Sequence, residues 1–304
     1  MAFRSVLLVA LVAVVEWGHA AVSDAQNADP GGQGIGGRAA SEVFGAGTKA
    51  GDTREITLSG GVKLKQVWCP PGTFTMGTPG ATNTEAPVQV TLKGYWLAAT
   101  ETTQGQYTAL MGTTPWGERD STDYYYKVGA NFPASYIDHT AAEAYCEKLT
   151  ELERKAGRLP TGWKYALPTE AQWEYACRAG TKTAYSFGDD ESQLGEYAWF
   201  KENADDINED YAHTVGTKKP NPWGLSDMHG NAWEWCADVY EAKLPGGSDP
   251  LVVSADGAAL RVFRGGGWLI ASVRCRSAYR RSGLPTYRGC FLGFRPATVP
   301  VGPD

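Results

Sequence analysis

Beyond Gly180 the chain offers no stretch in which apolar residues recur at helical spacing, and short segments rich in Trp, Tyr, Gly, Pro and Asn run to the end instead. That pattern predicts an irregular, loop-heavy fold with small strands, held by aromatic packing rather than by long regular elements. Eleven tryptophans and 15 tyrosines in 304 residues supply the rings. Before Gly180 three helices are marked by their starts. Thr103 is followed at the third position by Gln106, Thr140 by Glu143 and Thr169 by Gln172, the spacing at which a hydroxyl and a longer side chain satisfy the first free amides of a helix. Tyr107, Leu110 and Met111 continue the first pattern, Ala142, Tyr145, Cys146, Leu149 and Leu152 the second, and Trp173, Ala176 and Cys177 the third. Gly112, Gly157 and Gly180 stand where each helix should stop. Ile56 and Leu58, the turn Ser59-Gly60-Gly61, then Val62 and Leu64 predict a hairpin leading into the first core strands. The class is α+β, loop-rich and without internal repeat.

The first residues carry one charge, Arg4, then an apolar run from Val6 to Val15 that is too short for a stable bilayer anchor and the right size for a secretory signal. Gly18-His19-Ala20 supplies small residues at a cleavage point. A buried N-terminal helix is the alternative, but the polar, Gly-rich tract from Gln26 to Gly37 gives it nothing to pack against. The organisation expected is a signal peptide over residues 1–20, a flexible Gly/Ala-rich linker over 21–50 and one domain over 51–299, exported to the periplasm or the exterior. No later segment is long and uncharged enough to span a membrane. A net charge of −6 with no basic run makes nucleic acid an unfavourable partner.

Six cysteines, at 69, 146, 177, 236, 275 and 290, include no Cys-x-x-Cys pair. In an oxidising compartment an even count reads first as disulfides, whose connectivity the sequence leaves open. If all six are bridged, Cys275 is structural and cannot bind metal. The four histidines show no zinc spacing. His229, beside Asp227, reads as a turn histidine satisfied by backbone rather than as an acid-base group.

Three further features bear on chemistry. In the run Pro220 to Cys236, Asp227 and Glu234 flank a tight Gly230-Asn231 turn with free carbonyls, which suits a hard-oxygen cage for calcium. The competing reading is a turn before an alternating strand, with Glu234 facing solvent between Trp233 and Trp235. Gly265-Gly266-Gly267 is too short, and lacks the following helix, for phosphate binding. Its expected job is to let a strand pass close under aromatic rings. Glu101, ahead of the first helix, reads by its position as a solvent-facing residue.

Arg264-Gly265-Gly266-Gly267-Trp268-Leu269-Ile270, with Cys275 and Gly293-Phe294-Arg295, resembles the active-site segment of the formylglycine-generating enzymes, the sulfatase-modifying factor family. Pro71 to Gly77, Leu167 to Tyr175 and Pro220 to Cys236 extend the resemblance over residues 51 to 298. It implies a C-type-lectin-like variant fold with bound calcium, held at the positions matching Asp227, Gly230, Ala232 and Glu234. A second calcium is implied near Trp199 and Phe200, with Asp210 as its carboxylate, although the spacing to Val215 is not the family's. Glu101 matches a position that contacts the substrate peptide. The family bridges the positions of Cys146 and Cys177 to partners that here are Arg280 and Pro296, so any bridges must be rewired.

Catalysis is where the resemblance breaks. The family's copper sits on two soft thiolates. Cys275 matches the second, Ile270 occupies the first, Gly267 replaces a serine and Ala271 a polar neighbour. The expectation is a calcium-stabilised scaffold without copper-dependent oxidation, binding a peptide, a glycan or a partner protein such as a sulfatase-like one. The alternative is an active oxidase that converts a sulfatase-type cysteine to Cα-formylglycine, with Cys275 as its catalytic residue.

Overall fold

The computed structural model describes residues 45–117 and 125–301, so the signal segment and nearly all of the expected linker lie outside the described residues. The expected hairpin is present: β1 (Thr53–Thr57) pairs antiparallel with β2 (Lys63–Cys69), Ile56 opposite Leu64. Then come β3 (Gly72–Met76), β4 (Val88–Leu92), β5 (Tyr95–Ala98), α1 (Gln104–Met111), α2 (His139–Lys155), β6 (Trp163–Ala166) and α3 (Glu170–Arg178). After α3 helix dwindles to the single turn α4 (Leu194–Tyr197), followed by the long strand β7 (Trp233–Val239) and the short strands β8 (Gly247–Ser248), β9 (Arg261–Arg264), β10 (Arg280–Gly283), β11 (Leu292–Gly293) and β12 (Ala297–Pro300). The strands form three sheets, ordered β1-β2-β5-β12-β6, β10-β9-β7-β11 and β3-β4-β8. The fold is α+β and loop-rich, as the sequence leads one to expect.

Thr103 and Thr169 cap α1 and α3 with reciprocal side-chain bonds to Gln106 and Gln172. The start of α2 is a correction: its cap is Asp138, whose carboxylate accepts from the Ala141 amide, and Thr140 is already inside the helix. A carboxylate at a helix start both accepts a free N–H and meets the positive end of the helix dipole, so it wins over a threonine two residues later. α3 departs further from expectation. All nine of its residues are buried, including Glu170, Glu174 and Arg178.

Aromatic packing carries much of the interior. Tyr107 stacks on Tyr145 at 5.7 Å, Tyr145 meets Phe294 edge-on at 5.2 Å, and Phe263 meets both Trp233 and Trp235 edge-on at 5.3 Å. The expected disulfide frame is not found. Cys69, Cys146, Cys177, Cys236 and Cys275 are unbridged and buried in two apolar clusters, where a thiol packs as a small hydrophobe. Among the described residues no helix is long and apolar enough to cross a membrane.

Candidate functional site

β9 ends at Arg264 and delivers the chain into the glycine run with Gly265 at φ 107° and Gly266 at φ 82°, a region side chains avoid. A Cβ on Gly265 would lie 3.2 Å from the Trp173 ring, and one on Gly266 would lie 2.6 Å from the Cys275 sulfur. The run therefore does pass beneath an aromatic ring, and it also seats Cys275. Ile270 and Cys275 belong to one apolar cluster, with the Cys275 Sγ 3.8 Å from the carbonyls of Ile270 and Ala271. Cys275 is buried in packing, as a thiol and not as half of a bridge. Burial pushes that thiol up to about 12, so at neutral pH it is protonated and unreactive. The Tyr185 hydroxyl donates to the Ser272 carbonyl at 3.0 Å, and the Ser272 hydroxyl bonds Glu191, which pins the loop between Ile270 and Cys275.

His229 holds the far side of the same loop. Its Nδ1 donates to the Cys275 carbonyl at 2.8 Å, and its Nε2 accepts from the Ser186 amide at 3.0 Å. The ring is neutral, satisfied by backbone and lowered to about 4, chiefly by burial. The turn reading of His229 holds.

The turn from Asp227 to Glu234 is built with Asp227 at φ 62° and Asn231 at φ 67°. It does lead into a strand, but Glu234 does not face solvent. It is fully buried, and Arg295 takes both of its oxygens in a fork of 2.6 and 2.7 Å while the Trp173 indole donates to it at 2.8 Å. What is corrected is the solvent-facing reading; each of its oxygens already accepts a hydrogen bond inside the protein. Asp227 differs. Its Oδ2 accepts from the Gly216 amide at 2.7 Å, and its Oδ1 is buried with no partner.

Glu101 lies beside it and not at a surface, which corrects the solvent-facing reading of that residue. It is completely buried, its Oε1 accepts from Asn231 Nδ2 at 3.0 Å, and its Oε2 has no partner. Burial, then the neighbouring Asp227 charge, hold Glu101 well above the usual carboxylate range; burial raises Asp227 too, against the Gly216 amide. Asn231 organises the group, receiving the His213 amide at 2.7 Å while donating to Glu101. Gly230 has no room for a side chain, since a Cβ would fall 2.3 Å from the Trp199 carbonyl. That carbonyl accepts from the Asn231 amide at 2.7 Å, so at the expected second calcium position one main-chain oxygen is already bonded. Among the described residues no group of three or more His, Cys, Asp and Glu is placed to hold a metal.

One cluster escaped the sequence reading. Arg264 donates to Glu170 at 2.9 Å and to Glu174 at 2.7 Å, Arg280 forks onto Glu170 at 2.6 and 2.8 Å, and Arg178 donates to Glu174 at 2.8 Å, all buried. The mesh ties α3 to the strand entering the glycine run. The spacing Glu170, Glu174, Arg178, one charge per helical turn on an otherwise uncharged helix, was its signal.

Residues 61–299 match the family described as the sulfatase-modifying factor enzyme 1-like domain. A formylglycine-generating enzyme of Streptomyces coelicolor is 32% identical over 177 residues, 54% of this chain and 52% of that protein. The inactive C-alpha-formylglycine-generating enzyme 2 of Bos taurus is 31% identical over 179 residues, 55% of this chain and 50% of that protein. The chain thus spans about half the length of these curated relatives. In three dimensions, PvdO from Pseudomonas aeruginosa superposes with a TM-score of 0.69 at 25% identity, covering 83% of this chain and 99% of that one.

Proposed function

The chain belongs to the sulfatase-modifying factor enzyme 1-like domain family, and we propose that this member keeps the scaffold, has lost copper-dependent oxidation, and acts outside the cytoplasm as a binding module for a peptide, a glycan or a partner protein. The observation that carries the reading is the side chain of Ile270. It packs in one apolar cluster with Cys275, at the position where the family resemblance puts a second thiolate. Cuprous ion takes soft sulfur ligands, and an alkyl group offers no lone pair. The remaining thiol is buried and protonated, and Gly267 and Ala271 add no polar group beside it. A mammalian relative bearing the word inactive in its name is as similar to this chain as one named for the activity. Calcium, on this reading, stabilises the scaffold through the turn that starts at Asp227.

Cuprous ion and a peptide containing Cys-x-Pro-x-Arg supply the test. The purified protein should give no more aldehyde, read as mass loss at the peptide cysteine, than a control without protein. Its copper content after equilibration with a cuprous chelator should be far below one ion per chain. Aldehyde formation above the control, or one tightly held cuprous ion, would establish the oxidase reading instead.

A further inference from the structure

We infer that the groove between α2 and the loop after β8 docks an extended segment of a partner protein in which basic and apolar residues alternate. The groove measures about 820 Å³, toward the upper end of the sizes that ligand sites take. The stretch from Gly265 to Cys275 contributes nothing to its lining, so docking here is independent of whether oxidation is lost. Its floor includes β6, the last strand of the main sheet, and the end of β12. Strand addition is closed off there. Thr150 Oγ1 accepts from the Tyr165 amide at 2.9 Å and Arg154 donates to the Trp163 carbonyl at 3.2 Å, so side chains of α2 already use the outer edge of β6. An occupant is therefore held by its side chains.

The two lining elements differ in kind. On α2, Glu143, Glu147 and Glu151 stand about one helical turn apart and line the groove. Glu143 meets His139 Nδ1 at 3.2 Å, whereas Glu147 and Glu151 are exposed and form no hydrogen bond or ion pair among the described residues. The loop carries Leu251 and Val253, 50% and 74% exposed. The residue between them is tied on both sides: the Val252 amide donates to Asp238 at 3.0 Å and its carbonyl accepts from the Val239 amide at 2.9 Å. Apolar side chains held out to solvent beside a groove mark a contact surface.

Spacing selects the occupant. Carboxylates four residues apart on a helix are displaced by about 6 Å along its axis. Alternate residues of an extended chain repeat at about 6.7 Å. A strand laid along α2 can set one cation against Glu147 and the next against Glu151, while the side chains between them turn toward Leu251 and Val253. Three of the groove's own cations are engaged, Lys93 by Asp249, Arg154 by the Trp163 carbonyl and Arg261 by the Ala237 carbonyl; among the described residues Lys164 has no partner. Ahead of Gly45 the sequence holds only two basic residues, Arg4 and Arg38, so that stretch supplies no alternating segment and the occupant is a partner.

Fluorescence anisotropy of a labelled Lys-Val-Lys-Leu-Lys-Val peptide tests this, with Lys-Lys-Lys-Val-Val-Leu, the same residues regrouped, as control. The alternating peptide should bind saturably and about fivefold or more tighter than the regrouped one. Glu147→Gln with Glu151→Gln should weaken it about fivefold or more, Leu251→Ser with Val253→Ser about tenfold, and Lys164→Glu should tighten it. Glu55→Gln with Glu202→Gln removes the same charge from exposed positions outside the groove and should leave binding unchanged. All these side chains are exposed, so each variant should melt with the parent. Equal affinity for the two peptides, or equal losses in the two glutamate pairs, would reduce the attraction to net charge and overturn the assignment. Absence of binding by the unsubstituted protein would overturn it outright and leave the copper test untouched.

Discussion

Gly266 gives the Cys275 sulfur its seat. At φ 82°, with the sulfur 2.6 Å from where a Cβ would fall, Gly266→Ala combines backbone strain with a direct clash. It should cost about 2–4 kcal/mol, and a second change, Cys275→Ala, should recover part of that by removing the sulfur. Urea unfolding of the two single variants and the double one checks the coupling; strict additivity would mean that the two residues do not share this space. Much of the local picture was legible in the sequence. The missing second sulfur is a matter of identity at one position, and the tight glycine run follows from three residues without side chains. The commitment of Glu234 was not legible, because its partner Arg295 is 61 positions away and nothing local links them. The burial of Glu101 was hidden for the same reason, since Asn231 and Asp227 reach it from another part of the chain.

Helix α3 shows how a short element can be specified by charge as well as by apolar spacing. Glu170 and Glu174 receive Arg264 and Arg280 in an environment without water, so each ion's desolvation is offset only while its partner stays in place. Arg264→Met should therefore cost about 3–5 kcal/mol, the penalty for leaving carboxylates buried and uncompensated. Changing Arg288, whose pair with Asp138 is exposed on the arginine side, should cost at most about 1 kcal/mol. Chemical denaturation of both variants makes the comparison, and equal losses would refute the distinction. Helix starts at Thr103 and Thr169 could be read from sequence because a capping box is complete within four residues. The start of α2 misled because Thr140 and Glu143 mimic the same spacing while Asp138, just ahead, is the stronger acceptor.

Two buried titrating groups give the folded protein opposing responses to pH. His229 is depressed from 6.5 to about 4, so the stability it contributes is complete above its unfolded value and is lost as pH falls from 6.5 through 4, roughly 3 kcal/mol in all. Asp238 accepts from the amides of Glu170 and Val252 and is raised by burial from 3.8 to about 7. Its contribution runs the other way, complete below 3.8 and lost as pH rises through 7. The two should partly cancel, and Asp238→Asn should tilt the profile toward a stability that climbs with pH, while the raised Glu101 and Asp227 still act in the opposite sense. Urea midpoints measured at intervals check this, and a variant with the parent's profile would refute the role of Asp238.

The α+β class and the sparse regular structure were predictable from composition and spacing, but the strand order was not, because pairing between distant segments leaves no local trace. That order has a consequence for synthesis. β12 lies between β5 and β6, antiparallel to both, so the main sheet stays split into two pieces until Ala297 to Pro300 has been added. A nascent chain must then carry open strand edges until β12, the last strand described, has been made, which makes it a natural client for chaperones that shield such edges.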